Sequence, residues 1–428
     1  MNAVKEAKIL YAIPMNRLYV ALIITFSLLN PSFVGVVSNE NSWPQILGPS
    51  RNGVYTGPEL STSWPKSGPV ELWRLPIGAG LAGPVVSGGH LILFHRIRNE
   101  EIVEAFDALT GKKTWRYAYR TSYRDDFGFD EGPRAVPVVI NGRVFTFGAQ
   151  GKLTALDSVT GELIWTRATM TEFNVQKNFF GQSGSPVVSS GLVIANIGGP
   201  DAGIVAFNES TGDVVWTSTK QGASYSSPAL GRFNNELYAV FLTRTGLLGV
   251  EVSSGKIGFE KYWRARMHSS VNAATPLIFE NRVFVSAEYG PGAGLFEVND
   301  ETLMPVWNSN QIMSNHYATS VHKDGYLYGF HGRQEFSPSF RAVNLKTGQV
   351  SWSKERFGGG SVTLTNDHLL IVHENGELIM IPATPAKFSI AAKAKVLAPT
   401  VRALPAVASG VVYLRNDDTL VALDLNGD

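Results

Sequence analysis

Ala155-Leu156-Asp157-Ser158-Val159-Thr160-Gly161-Glu162-Leu163-Ile164-Trp165 and Ala206-Phe207-Asn208-Glu209-Ser210-Thr211-Gly212-Asp213-Val214-Val215-Trp216 are two copies of one device. In each, an apolar strand ends on Asp or Asn, a Thr-Gly turn follows, and a second strand carries a tryptophan. Asp or Asn bonds the turn backbone, and glycine supplies the positive φ that closes a hairpin of three to five residues. Outward from these copies the tryptophan slot is filled by Trp73, Trp115, Trp165, Trp216, Phe259, Trp307 and Trp352. Their spacing runs from 42 residues (Trp73 to Trp115) to 51 (Trp165 to Trp216). Before the last six stand Asp107, Asp157, Asn208, Glu251, Asn299 and Asn344 at the hairpin, then Gly111, Gly161, Gly212, Gly255 and Gly348, with Leu303 the exception. A period of this length reads as a circular array of β-units.

The start of each unit gives the blade number. Pro84, Pro137, Pro186, Pro228, Pro276, Ser320, Val362 and Pro405 mark eight inner strands, and two places earlier stand Ala82, Ala135, Gly184, Ser226, Ala274, Ala318, Gly360 and Ala403. All are small, as strands converging on a ring axis require. The chain is therefore expected to be all-β, an eight-bladed propeller. The seventh unit loses its turn consensus and its tryptophan, with Phe388 or Ile390 as the substitute. The last unit stops at Asp424 where its outer strand should begin, so an N-terminal outer strand at 71–75 is expected to close the ring and leave no free edge. The expected organisation is a leader over 1–38, an N-terminal extension over 39–70 and the propeller over 71–428.

Lys plus Arg is 37 against 36 for Asp plus Glu, which gives no field to attract nucleic acid. Lys5, Lys8 and Arg17 precede an apolar run from Leu18 to Leu29, with Val36 and Ser38 in the small-residue positions before a cut. This is the pattern of a signal peptide, or of an uncleaved signal anchor if the run is extended to Val37. The protein is expected to be exported, periplasmic or extracellular, and monomeric. It has no cysteine, so it cannot be a lipoprotein, form a disulfide or use a thiolate.

The repeat units resemble those of the PQQ-repeat β-propellers, the superfamily that holds quinoprotein alcohol dehydrogenases and the propeller lipoprotein of the outer-membrane β-barrel assembly machinery. Further stretches look like those of a group of exported PQQ-like repeat proteins. They are Trp43-Pro44-Gln45, residues 48–54, residues 132–137, residues 223–228, residues 263–276 and residues 316–319. The resemblance implies a fold of the quinoprotein type, and that group has no established reaction. In the quinoproteins an adjacent cysteine pair and a flat Trp sandwich the quinone, and hard oxygen ligands hold a metal near the axis. No cysteine exists here and none of the aligned inner-strand entrances is Asp or Glu, so PQQ and calcium are disfavoured and no metal or other cofactor is expected.

The residues just before each marker should line one mouth of the channel: Leu81, Arg134, Gln182, Ser183, Tyr225, Asn272, His316, Tyr317, residues 358–360 and Arg402. Loops nearby supply Glu131, Arg264, Arg266, His268, Arg333, Gln334 and Glu335. A convergent polar mouth on a rigid ring is the default ligand site of such a fold, although a water-filled funnel is also lined by polar groups that only satisfy strand ends. Our ligand-binding candidates are Arg134, Tyr225, Arg264, Arg266, His268, Asn272, His316, Tyr317, Arg333, Glu335 and Arg402. A histidine near neutral pH can act as base or ligand, which makes His316 and His268 the sharpest of these. The acidic run 125–131 lacks the alternate spacing of a calcium loop and reads as a solvated connection. Together these features point to a non-catalytic scaffold that binds an unidentified small molecule or protein. The competing readings are a quinone-dependent oxidoreductase acting on alcohols or sugars and an outer-membrane assembly scaffold.

Overall fold

The computed structural model describes residues 42–426 apart from 66, 266 and 268–270. The expected leader and the candidates Arg266 and His268 lie outside the described residues. Eight antiparallel sheets of four core strands follow one another along the chain, as blades 1 to 8: residues 85–120, 138–168, 187–218, 229–262, 277–309, 321–354, 360–395 and 406–424, the last completed by Val70–Pro76. Val70 pairs with Asp424, Trp73 with Ala422 and Pro76 with Thr419, so strands from the two ends of the polypeptide share one sheet. Closing the last sheet in this way removes its free edge.

The markers hold the inner strands where they were expected. Ala82, Ala135, Ser226, Ala274, Ala318, Gly360 and Ala403 are buried. A side chain at Gly83 would come within 2.3 Å of Leu404 O, and one at Gly184 within 2.6 Å of Ser226 O. Neighbouring inner strands are tied by short side chains, as in Ser226 Oγ to Ala274 O (2.9 Å), Ser185 N to Ser227 Oγ (2.9 Å) and Thr275 N to Thr319 Oγ1 (2.9 Å).

The outer seam explains the tryptophan and glycine together. Each indole N–H donates to a carbonyl in the next blade: Trp73 to Ala108, Trp115 to Ser158, Trp165 to Glu209, Trp216 to Val252, Trp307 to Leu345 and Trp352 to Thr384, at 2.8 to 3.1 Å. The ring lies where a Cβ on the next hairpin's glycine would be. That Cβ would sit 2.5 Å from Trp115 at Gly161, 2.7 Å from Trp165 at Gly212 and 2.5 Å from Trp216 at Gly255. The two departures from the pattern, Phe259 and Leu303, belong to one joint, between blades 4 and 5. There the hairpin closes on Asp300 and Glu301 alone, with Asn299 opposite Thr302, and Leu303 packs in the same apolar cluster as Phe259.

The substitute in blade 7 is different from the one expected. Phe388 precedes the outer strand Ala392–Lys395 and packs against Trp352 of blade 6 and Phe357, while Ile390 is exposed. Ala392, opposite Met380, faces blade 8 in the core. Blade 8 carries no hairpin there for an indole to cover, because its third and fourth strands come from opposite ends of the chain.

The segment 43–55 was not foreseen as part of the ring, yet it touches seven of the eight blades and borders a cavity on the remaining one, blade 5. Trp43 exchanges both backbone hydrogen bonds with Val86 in blade 1, Pro44 O accepts from Val139 in blade 2, and Gly53 O accepts from Leu364 in blade 7. A Cβ at Gly53 would lie 2.8 Å from Val321 of blade 6, and Tyr55 Oη accepts from Gly410 N of blade 8. Asn52 and Val54 border a cavity of about 140 Å³ against Leu277, Ile278 and Phe279 of blade 5 and His322. Arg51 enters between blades 3 and 4 and is 3% exposed. Its guanidinium donates to Pro228 O (2.7 Å), Pro186 O (3.1 Å), Ser185 O (3.4 Å) and Gln45 Oε1 (2.9 Å). Burial draws its pKa down to about 9, so it stays charged at neutral pH. The segment thus follows the ring of blades, bonded to or packed on seven of them. Its backbone partners Val86, Val139 and Leu364 lie within the inner strands beyond their entrance residues, which puts this plug toward the end opposite the polar mouth.

Candidate functional site

The mouth is built from two kinds of position: the residues that enter each inner strand, and the tip of the hairpin between the second and third strands. In blades 5 to 8 these interlock as one polar chain. Glu335 pairs with Arg333 (3.2 Å), and the Arg333 guanidinium lies 4.7 Å from the centre of the Tyr289 ring. Tyr289 Oη is 2.9 Å from His316 Nε2, and the His316 and Tyr317 rings meet edge-on. Tyr317 Oη donates to Glu374 Oε1 (2.7 Å), which also accepts from Arg402 Nε (3.0 Å). The structure thus brings His316, Tyr317, Arg333, Glu335 and Arg402 together through two residues that inner-strand alignment did not reach, Tyr289 and Glu374. Their signal is positional: each stands just beyond a unit's second strand, Arg282–Ala287 or His368–His373.

Burial lowers the His316 pKa below the ordinary range, against the pull of Glu335, so the ring is neutral near pH 7. His316 Nδ1 and Gln334 Oε1 are buried without a hydrogen-bond partner, and both residues line a cavity of about 10 Å³. Gln334 lies near enough to favour a protonated ring but makes no well-directed bond with it. Burial and the Glu374 charge hold the Tyr317 phenol far above its usual pKa. It is therefore a donor, and Glu374 Oε1 is its acceptor.

The other candidates divide. Arg134 is pinned by Asp125 (3.1 Å), Asp130 O and Phe180 O, and it lies over the Phe180 ring. Asn272 is buried, and its amide donates to Thr243 O and Trp263 O. Gln182 likewise turns inward to Ile197 O. These side chains satisfy strand ends. Tyr225 and Arg264 are half-buried and remain on the mouth, Tyr225 edge-on to Phe180. The acidic run is not a solvated connection throughout. Asp125 is buried and accepts from the backbone N–H of Phe127, Phe129 and Asp130 as well as from Arg134.

Three acidic groups of the mouth already have partners. Asp125 directs its lone pairs to its own loop, Glu374 is clamped by Tyr317 and Arg402, and Glu335 holds Arg333. Among the described residues no group of three or more His, Asp or Glu could hold a metal.

One pH effect follows from the mouth. His331, whose Nδ1 accepts Ser314 N, falls from 6.5 to about 4 because burial disfavours the charged ring and Arg341 repels it. A depressed histidine contributes stability that is complete above its unfolded pKa and is lost as pH falls through that value toward the folded one. Unfolding free energy should therefore drop between pH 6.5 and 4. His331→Asn, which keeps an acceptor for Ser314, should flatten the slope in urea titrations; equal slopes would show that other groups carry it.

Blades closed by an N-terminal strand, small residues at the axis and indole-on-glycine joints define an eight-bladed propeller of the quinoprotein type. The chain belongs to the PQQ_2 family, described as outer membrane protein assembly factor BamB, which matches residues 98–354 and 337–428. The outer membrane protein assembly factor BamB of Yersinia pestis is 21% identical over 250 residues, 56% of this chain and 61% of that protein. The dehydrogenase subunit of the alcohol dehydrogenase (quinone) of Komagataeibacter europaeus is 31% identical over 141 residues, 31% of this chain and 18% of that protein. The chain spans less than two thirds of each. Among solved structures, the quinohemoprotein alcohol dehydrogenase of Comamonas testosteroni superposes with a TM-score of 0.66 at 14% identity, covering 91% of this chain and 81% of that one. BamB of Moraxella catarrhalis gives 0.60 at 14% identity, over 84% and 98%. At these identities the structural likeness is one of fold. No helix among the described residues is long and apolar enough to cross a membrane.

Proposed function

We propose that this protein is an exported, non-catalytic binding propeller whose mouth is a blind cup for a small molecule. The observation that carries this reading is the plug. With residues 43–55 bonded to the inner strands toward one end and Arg51 held by carbonyls of blades 3 and 4, the chain's own backbone occupies that end and the polar mouth is the side left for a solute. A rigid concavity with a few convergent polar groups is the usual form of a ligand site. The Tyr317, Glu374 and Arg402 cluster presents both a donor and acceptors there. The basic and apolar leader pattern supports export.

Thermal unfolding of the full chain against a collection of sugars, organic acids and the quinone with calcium tests the proposal. A compound at a hundredfold over its Kd should add ~2.7 kcal/mol. Stabilisation that disappears in Arg402→Ala and persists in Arg143→Ala, on the far side of blade 2, places the compound in the cup. Stabilisation by the quinone with calcium, accompanied by alcohol oxidation, would replace this reading with the dehydrogenase one. Capture of barrel-assembly components on the intact protein, with no small molecule bound, would replace it with the assembly scaffold.

A further inference from the structure

The plug covers the inner strands unevenly, and blade 5 is the one it does not touch. Three inner strands share a register: Val86, Val139 and Ile278 are each the middle residue of a short paired stretch, opposite Leu91, Val144 and Val283. Val86 turns its N–H and C=O to the axis, where Trp43 exchanges both bonds with it at 2.8 and 2.9 Å, and Val139 gives its N–H to Pro44 O at 2.8 Å. Ile278 stands in the same place, and among the described residues no backbone group of the plug bonds to it. Its N–H and C=O therefore face the axis without the partner that their counterparts have.

At that point lies the cavity of about 140 Å³ bordered by Asn52, Val54, Leu277, Ile278, Phe279 and His322. Successive side chains of a strand point to opposite faces, so three consecutive residues border one cavity along the strand's edge. The side chains agree. Ile278 Cδ1 reaches over Gly231 of blade 4, where an added Cβ would lie 2.7 Å away, and Leu277 is buried with Phe284 and Leu295. The edge thus offers the Ile278 backbone to the cavity, and Asn52 adds a donor. Asn52 Oδ1 accepts from Val54 N (3.1 Å), which leaves its Nδ2 for a further acceptor. Val54 and the Phe279 ring, 4.6 Å from that of His322, supply apolar surface. Burial lowers the His322 pKa, so the ring is neutral near pH 7 and no ionised side chain borders the space.

We propose that this cavity binds a small neutral carboxamide, a primary amide or lactam, which takes on Ile278 the place that Trp43 takes on Val86. Such a group carries N–H and C=O on one side. The ligand N–H donates to Ile278 O, while its oxygen accepts from Ile278 N and Asn52 Nδ2. Both backbone groups select: a ketone leaves the Ile278 carbonyl without its donor, and a carboxylate sets a charge against it. Size limits the rest, since a cavity of about 150 Å³ holds one benzene ring. None of the six residues belongs to the mouth, so this site and the cup stand or fall separately.

NMR titration of the full chain, isotope-labelled at isoleucine, tests the proposal with isobutyramide, methyl isopropyl ketone and isobutyrate, three probes of one shape. Isobutyramide should move the Ile278 amide resonance and bind about fivefold more tightly than the ketone, the worth of one net hydrogen bond. Asn52→Asp keeps the acceptor for Val54 N and puts a carboxylate oxygen where the amide donor was. It should weaken isobutyramide by about fivefold or more, with the melting curve showing an intact fold. Arg402→Ala, in the mouth, should leave the affinity unaltered. Equal binding of amide and ketone, a preference for isobutyrate, or an Ile278 resonance that no probe moves, as in a cavity that holds only water, overturns the proposal. Loss of binding in Arg402→Ala would put the amide in the cup and overturn it as well.

Discussion

Arg51→Ala is expected to lower the unfolding free energy by about 2–4 kcal/mol, since each buried carbonyl left without its donor costs about 1–3 kcal/mol and release of the buried charge offsets part of the sum. In this substitution the acceptors are what remain: the carbonyls of Ser185, Pro186 and Pro228 and the Gln45 amide oxygen lose their donor inside the channel. Gln45 still has Pro49 O, so the turn itself persists, and the cost falls on the carbonyls of blades 3 and 4. Arg51→Lys should recover only part of the loss, because an ammonium on a single stem cannot span acceptors that a planar fork reaches together. Urea denaturation of the three proteins measures the difference. A loss below about 1 kcal/mol for Arg51→Ala would mean that water enters and serves the carbonyls, in which case the channel is not closed there.

The plug also shows where sequence reading stops. The blades were legible because each requirement leaves its own residue type: small at the axis, Gly where an indole lies flat, Asp or Asn where a hairpin turns. Trp73 and Asp424 could be joined across the chain because each was one strand short. Residues 43–55 carry none of these periods. Their Gly48-Pro49-Ser50-Arg51-Asn52-Gly53 reads as a solvated turn, and an arginine in such a run ordinarily marks exposure; nothing local announces that its carbonyl acceptors lie more than 130 residues away. The mouth was half legible for a related reason. Inner-strand alignment found His316, Tyr317, Tyr225 and Arg402, but it also selected Asn272 and Gln182, which turn inward because strand ends need donors. It missed Tyr289 and Glu374, since second strands differ in length from Arg143–Phe147 to His90–Ile97 and the hairpin tips drop out of register.

Trp165→Ala should cost a comparable 3–5 kcal/mol or so, roughly the range for truncating a large buried aromatic. Its indole sits on Gly212, packs against Phe145 and closes blade 2 onto blade 3 through Glu209 O, so truncation opens a cavity along the seam and strands a carbonyl. Trp165→Phe separates these effects. It keeps most of the apolar contact and loses the N–H, so it should cost about 1–3 kcal/mol, the penalty for an unsatisfied buried acceptor together with a smaller void. Gly212→Ala approaches the same joint from the other side. Its φ of +76° disfavours any side chain, and the new methyl would stand 2.7 Å from the ring, so overpacking should add about 1–3 kcal/mol to the backbone strain. In the double variant Trp165→Ala with Gly212→Ala the methyl has space, and the combined loss should be smaller than the sum of the single ones. Strict additivity in urea titrations would show that indole and glycine are selected independently, and steric contact could then no longer explain why the two occur together at this joint and at its counterparts around the ring.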